Sequence, residues 1–544
     1  MRSRPHPRSA ALAVGAVMAS LAFVPVGTSP AQAAGTIYIT DLAGSISDNY
    51  GTLTGPQGVD KLIDNNPYSV YQVDYPTTVL RFTANADAVA TGYSVTSGSG
   101  PVERDPVSWV FEGSADGTTW RQLDARTGQS FAARYALKTY SFANTTPYRR
   151  YRLRVTANGG VNATQVGEWH IIGTSSAIRP SPSAPSRFTA TPRSADQIEL
   201  SWLDNTLYEY GYRLERSTDG TTFTTLAMLP PGTTRYRDLR LPASTRFTYR
   251  VRASGTTDSA MLTASATTQP AAPAATWQEV LHKGDNTTNE LMSYDSASST
   301  ADVVIYRDPD LAGKDLSSPI TYANSAWRYV QRTYPFLGQQ RLFLTMHDGA
   351  GIYAMAWTVD HSDTKYRQFI DAKNENWLDT WSNRNVLTHE MSHLVEDGGA
   401  PVLESPSYAL WGDSKWAEIF QYDVYKGLGD QTEAQRWYNQ MITQTDDFPR
   451  PGTMWFKNWF MPIYTDHGGT ATLVKYIDLL SKNFHRLNGE YQRPLNWGEF
   501  VHFWSGAAGV NLQQLANTAF GASAERDAQF QQAKVDFPGV TYTG

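Results

Sequence analysis

Residues Asn385 to Gly399 read NVLTHEMSHLVEDGG, and the HEMSH at the centre decides what kind of domain the second half of the chain forms. On a helix His389 and His393 lie one turn apart, so both imidazoles leave one face at a separation that two bonds to a zinc ion bridge. Glu390 stands beside the first imidazole, where a carboxylate takes a proton from a water the metal has acidified and later hands it to a leaving amine. The competing reading is a solvated helix whose histidines make ordinary hydrogen bonds. The flanks argue against it: Val386, Leu387, Leu394 and Val395 offer an apolar face for burial, no glycine or proline interrupts the run, and Gly398-Gly399 end it.

The rest of the chain suits that reading. Its 544 residues predict about three domains. With 41% apolar and 18% charged residues, the composition excludes disordered and fibrous classes. Arg2, Arg4 and Arg8, an Ala-rich apolar run to Val26 broken by Pro25, and the Ala31-Gln32-Ala33 site predict a secretory signal peptide over residues 1–33, hence a secreted, extracellular protein without a membrane span. Its removal takes away three arginines and no acids, moving the net charge from −6 to −9, which argues against nucleic acid as a partner. There is no cysteine, so a metal must be held by His, Asp or Glu.

Two Pro/Ala/Ser-rich stretches, SSAIRPSPSAPS (Ser175 to Ser186) and TTQPAAPAAT (Thr267 to Thr276), divide the chain into folded units. In residues 35–174, VLRFTA, WVFEGS, YRRYRLRVTA and EWHIIG alternate apolar with polar residues between turns, predicting a β-sandwich. The segment RDPVSWVFEGSADGTTWRQLDARTG, with YRLRVTANGG and GEWHIIG, resembles the discoidin or coagulation-factor type C (F5/8 type C) family over nearly the whole unit. That resemblance implies a jelly-roll whose loops bind carbohydrate or cell-surface ligands, with a structural calcium at positions matching Asp64, in DKLIDNNPYSVYQ, and Glu168. Asp/Asn-rich loops supply the oxygen ligands calcium takes, although they also serve as plain turns. Residues 185–268, with IELSWLDN, YGYRLERSTDG and LPASTRFTYRVRA, resemble a fibronectin type III module read as a spacer; the corner tyrosine position is Phe247, so the corner hydrogen bond is expected to be lost.

From 277 to 544 the pattern turns α+β: strand-like DVVIYRD and RLFLTMHDG flank the helical ITYANSAWRYVQRTYP, and HEMSH follows. HEMSH, WAEIFQYDVYKGLG, WFMPIYTDHGGTATLVKYIDLLSKNF and GEFVHFWSGAAG resemble the basic secretory protein family of zinc peptidases, over most of residues 300–522. The resemblance implies a zincin-like domain, although the gap from the second His to the next acidic helix is longer here than in the plant members. Gly399 occupies the position where metzincins place their third ligand, leaving a gluzincin-like arrangement with a carboxylate from a following helix. Glu404, Asp413, Glu418 and Asp423 lie within 30 residues of His393. Glu404 sits in a proline-flanked loop; Asp413 is expected to cap the helix that follows it; Asp423 is rotated about 140° from Glu418 at 100° per residue. Glu418, beside Trp416, Ile419 and Phe420 and falling on the family's acidic helix, is the first choice and Asp413 the second. Tyr464 and His467, in MPIYTDHGG, are candidates to stabilise the oxyanion, against a plain reading as a helix-end aromatic and a surface histidine.

The expected function is thus a secreted zinc peptidase acting on protein or glycoprotein, targeted by its first domain to a glycan or cell-surface ligand. Two alternatives compete: a non-catalytic binding protein on a decayed zincin fold, and a polysaccharide-associated hydrolase. The second would need a carboxylate pair that an HExxH helix does not supply; the first is disfavoured by retention of Glu390.

Overall fold

The computed structural model describes residues 37–544 apart from 53–55, 67, 132–133, 176–180, 208, 272, 279–290, 335–340, 350–351, 360–364, 375, 378 and 398–404. The expected signal peptide, Gly398-Gly399 and Glu404 lie outside the described residues.

Residues Ile37 to Ser175 form an antiparallel β-sandwich organised by the 19-residue strand Thr78–Thr96. Its first half lies between Gly44–Ser47 and Tyr148–Asn158, its second half between Trp169–Ser175 and Leu137–Ser141. The register breaks between Thr83 and Ala88, where the strand passes from one part of the sheet to the other. Alternation along each strand sends Leu80, Phe82, Tyr93, Trp109, Phe111, Tyr151 and Trp169 into one core. A second sandwich follows. Ser186–Pro192, Gln197–Leu203 and Arg235–Leu239 make one sheet; Thr224–Leu229, Gly211–Ser217, Arg246–Ser254 and Leu262–Thr267 make the other. Phe247 is buried at the corner position, and two residues on the Tyr249 hydroxyl donates to Asp238 Oδ2 at 2.8 Å.

The C-terminal domain is built on a six-stranded mixed sheet in the order Thr276–Gln278, Leu291–Tyr294, Val303–Arg307, Leu342–Asp348, Gln368–Asn374, Ile352–Trp357. The parallel pair Val303–Arg307 and Leu342–Asp348 is joined through helix α1 (Ser317–Thr333), as a parallel connection requires. Ile352–Trp357 pairs antiparallel at the edge. Leu342, Leu344, Met346, Ile370 and Ala372 face the helices, whereas Phe343, Phe369 and Trp357 cover Trp277 on the opposite face. The HEMSH segment lies on α2 (Thr380–Asp397), which packs against the edge strands and against α1. Then come α3 (Tyr408–Trp411), α4 (Lys415–Gly427), α5 (Gln431–Met441), α6 (Met461–Asp466), α7 (Thr470–Asn483), α8 (Trp497–Ala508), α9 (Gln513–Phe520) and α10 (Ala524–Asp536), joined by an aromatic core.

A short hairpin after α7 touches both sandwiches. Its strands, Arg486–Leu487 and Glu490–Tyr491, turn at Asn488-Gly489, both at positive φ as a two-residue hairpin turn demands. Asn488 Oδ1 accepts from the backbone N–H of Thr234 and Arg235 at 2.9 and 3.1 Å, and Glu490 pairs with Arg235 and Arg237. At the hairpin base His485 Nδ1 meets the Tyr68 hydroxyl at 3.1 Å, and Tyr135 donates to the Gln492 carbonyl. The Pro/Ala/Ser-rich joints therefore connect units that also touch.

Candidate functional site

The apolar positions of α2, Leu387, Met391, Leu394 and Val395, are buried in the domain core, which turns His389 and His393 toward the outside of the helix. Their Nε2 atoms stand 3.2 Å apart. The Asp413 carboxylate closes the triangle, 3.7 Å from His389 Nε2 and 3.5 Å from His393 Nε2. Donor atoms of a tetrahedral ion with bonds of about 2.0–2.2 Å sit about 3.3–3.6 Å apart. The contacts here, at 3.2, 3.5 and 3.7 Å, lie close to that range although the two imidazoles face different Asp413 oxygens, and one donor atom from each residue lies within 4.8 Å of the others, so the set fits zinc after a small closure. The Asp413 side chain is 63% exposed, which opens the centre to solvent.

Each group's electrostatics follows from the triangle. The hydrogen bond to His389 and the nearby His393 charge hold the Asp413 carboxyl down at about 2. Burial, then the charge of His389, push His393 down to about 4. For His389 burial pulls the same way, but Asp413 and Glu390 outweigh it and the imidazole is raised. Glu390, 7% exposed, is pushed by burial up to about 7, against the opposing pull of His389.

Three sequence expectations are corrected by this geometry. Glu418, the first choice for the third ligand, is buried but turned to Lys415, whose Nζ donates to Glu418 Oε1 at 2.6 Å and also reaches Asp446. Asp413, the second choice, joins the imidazoles instead. Nor does it cap α4: Ser414 holds the N-cap position, without a side-chain cap bond. Tyr464 donates to Asp423 Oδ1 at 2.9 Å in a buried cluster where Tyr329, Tyr334 and Thr470 also donate to that carboxylate. His467 lies at the C-terminal end of α6. Among the described residues no contact joins Tyr464 or His467 to His389, Glu390 or His393.

What places Asp413 is a pair of indoles that sequence reading missed. Trp411 Nε1 donates to Glu396 Oε1 at 2.6 Å, and Trp416 Nε1 donates to the Ser392 carbonyl at 3.2 Å, so the chain on both sides of Asp413 is tied to α2. Between them Gly412, at φ 64°, lets the chain leave α3, its N–H bonding back to the Tyr408 carbonyl at 2.8 Å. The available signal was the tryptophan spacing around Asp413, which marks two buried donors in need of acceptors.

In the first sandwich Asp64 and Glu168 come together. Glu168 is 3% exposed, neither carboxylate oxygen makes a hydrogen bond, and His170 Nε2 stands 3.2 Å from Oε2. Burial, with Asp64 alongside, raises its carboxyl well above the usual range. Asp64 is held by Ser69 Oγ at 2.8 Å and the Asn66 N–H at 3.1 Å. Orphaned buried carboxylate oxygens facing a second carboxylate fit an oxygen-seeking cation such as calcium. At the sandwich surface the exposed rings of Tyr50 and Tyr75 stack at 4.0 Å and 5°.

No family model matches the chain. A stretch of 76 residues is 40% identical to the peptide-N(4)-(N-acetyl-beta-glucosaminyl)asparagine amidase of Arabidopsis thaliana, covering 13% of this chain and 10% of that protein. The chain thus spans about a tenth of that relative's length. Among solved structures it is similar to the CBM32-5 module of CpGH89 from Clostridium perfringens in complex with GalNAc-beta-1,3-galactose (12% identity, 25% of this chain, 98% of that one, TM-score 0.22). It is also similar to an F5/8 type C domain from Bacteroides fragilis (15% identity, 24% of this chain, 92% of that one, TM-score 0.22), and to FN3tt (24% identity, 16% of this chain, 97% of that one, TM-score 0.15). No helix among the described residues is long and apolar enough to cross a membrane.

Proposed function

We propose that this chain is a secreted zinc-dependent peptidase that hydrolyses protein or glycoprotein, brought to a carbohydrate or cell surface by a discoidin-like first domain, with a fibronectin type III-like spacer next to it. The observation that carries the reading is the convergence of His389, His393 and Asp413 at metal-ligand separations on a solvent-open face, with Glu390 one residue from the first imidazole. The two Nε2 atoms and one Asp413 oxygen would hold zinc, which when bound supplies Lewis acidity to a water and to the scissile carbonyl. Glu390 takes the proton of the attacking water on its carboxylate and delivers it to the leaving amine nitrogen. Trp411 and Trp416 keep Asp413 in place, and the exposure of Asp413 gives a polypeptide room to approach. Asp64 and Glu168 would hold calcium, steadying the first sandwich. The stacked Tyr50–Tyr75 pair is a flat, solvent-facing platform of the kind on which the apolar face of a sugar packs.

The test is Glu390→Gln. The amide cannot take a proton, so the variant should keep one equivalent of zinc while chelator-sensitive cleavage of a denatured protein mixture drops by about 10²–10⁴. Parental cleavage by Glu390→Gln removes Glu390 from the mechanism, whereas a zinc-loaded parent chain that cleaves no peptide bond refutes the peptidase reading and leaves the binding protein.

A further inference from the structure

Where the start of α8, the end of α9 and the start of α10 meet the loop after α5, the C-terminal domain holds a cavity of about 470 Å³ that the peptidase reading does not use. Its walls are aromatic, Trp497 and Phe520 with ring centres 5.1 Å apart, and the charged side chains lining it are Arg450, Arg526 and Glu525. Both guanidiniums are held in place and meet at Gly521. That of Arg526 lies over the Trp497 ring at 4.5 Å, and its Nη1 donates to the carbonyls of Phe520 and Gly521 at 3.1 and 3.4 Å. Arg450 Nη2 donates to the Thr518 carbonyl at 3.4 Å, and Gly521, at φ 89°, presents bare backbone to the same side chain: a Cβ there would stand 3.0 Å from Arg450 Nη1. The loop bearing Arg450 is pinned in turn, with the Arg450 carbonyl accepting from Thr453 Oγ1 at 2.7 Å and Asp446 pairing with Lys415 at 2.7 Å. Among the described residues neither arginine forms an ion pair; Glu525, the carboxylate that lines the cavity, accepts from Gln529 Nε2 at 3.2 Å instead. The helix ends cancel, the C-terminus of α9 giving about half a negative charge and the N-terminus of α10 about half a positive one. Two guanidiniums against Glu525 leave the cavity with a surplus of one positive charge.

We propose that this cavity binds a small organic monocarboxylate. Each guanidinium spends one nitrogen on backbone carbonyls and keeps further N–H groups for a ligand, and paired N–H donors match the two oxygens of a carboxylate. A surplus of one positive charge suits a singly charged carboxylate better than a doubly charged phosphate. The aromatic wall takes the apolar body that carries the carboxylate, and the volume lies within the range of small-molecule pockets. Two sources share this chemistry, the C-terminal end of a peptide and an acidic sugar. Both Arg450 and Glu525 are exposed, so the cavity opens to solvent. None of its lining residues belongs to the histidine triangle, and the site does not depend on the peptidase reading.

The test is a ligand-observed NMR titration of the full chain, stripped of metal and then freed of chelator so that a carboxylate meets no ion, with N-acetyl-phenylalanine, glucuronate and the neutral N-acetyl-phenylalaninamide. At least one acid should bind at millimolar concentration, and the amide should bind about tenfold more weakly than N-acetyl-phenylalanine if that is the acid bound. Arg450→Gln should weaken the bound acid by about tenfold, and Glu525→Gln, which removes the opposing charge, should tighten it by about threefold. Both positions are exposed, so Tm should stay at the parental value; should Arg450→Gln shift it, the sign of the Glu525→Gln change decides. Preference for N-acetyl-phenylalanine assigns the cavity to a peptide end, and preference for glucuronate assigns it to an acidic sugar. No binding of either acid, equal binding of N-acetyl-phenylalanine and its amide without binding of glucuronate, or parental affinity in both variants overturns the proposal and leaves the two arginines as supports for the end of α9.

Discussion

Replacing Asp413 with alanine removes the one carboxylate of the triangle and little else. The side chain is 63% exposed and its described contacts are to the two imidazoles and to Ser414, so stability should shift by no more than about 0.5 kcal/mol. Metal affinity should respond far more. Losing a partner in the outer shell of a metal typically costs roughly 10–100-fold, and Asp413 stands at ligand distance, so its loss should exceed about 100-fold, or ~2.8 kcal/mol. Glu418→Gln makes the opposite pattern. Its carboxylate serves Lys415, which keeps Asp446 at 2.7 Å, so zinc affinity should stay within about threefold while the buried contact costs about 1–3 kcal/mol of stability. Competitive titration of zinc against a chromophoric chelator at pH 7, beside thermal unfolding of the metal-free chains, measures both quantities. Zinc affinity lost in Glu418→Gln and kept in Asp413→Ala would show that the triangle is not the metal centre.

Tyr464→Phe should lower stability by about 1–2 kcal/mol, because Asp423 keeps three of its four hydroxyl donors, and should leave kcat for peptide cleavage unchanged; a selective fall in kcat would return Tyr464 to the chemistry. His485 is held down at about 3 by burial and the Arg493 charge, below an ordinary value of 6.5, so the unfolded chain binds the extra proton. Its contribution is complete above pH 6.5 and is lost as pH falls toward 3, about 2 kcal/mol between pH 6.5 and 5, and His485→Gln should flatten that part of the stability profile. Tyr75→Ala, and Tyr50→Ala with it, should weaken retention on a glycan array without changing cleavage of a soluble peptide; equal retention would remove the tyrosine platform.

The β-rich units were legible because alternation along segments such as WVFEGS reports which side of a strand is wet, and that depends only on near neighbours. The α2 helix was legible for the same reason: its apolar spacing and the four-residue step between histidines are local facts. The third corner of the triangle was not. Reading Asp413 as a helix cap applied a rule about the next three residues, whereas its position is set by Trp411 and Trp416 reaching back across 15 and 24 residues to α2. Glu418 was read from its buried neighbours, and buried it is, but burial does not say which charge a carboxylate will find; Lys415, one turn earlier, was the near partner. Tyr464 was placed beside the chemistry by proximity to a family motif, and the two elements that bring Tyr329, Tyr334 and Thr470 around Asp423, α1 with its C-terminal cap and α7, leave no shared pattern in sequence.

The hairpin tipped by Asn488 and Gly489 changes what proline-rich joints mean here. A peptidase on a slack tether trims any bond within the radius of its string. Under the proposed function, one bracketed by Asn488 on the second sandwich and His485 on the first would work as a ruler, cutting at a set height above a surface bound through the exposed tyrosines. Selection would then fall on how far a target stands off that surface, and two substrates with identical cleavage sequences would be told apart by the length of the stalk that carries them.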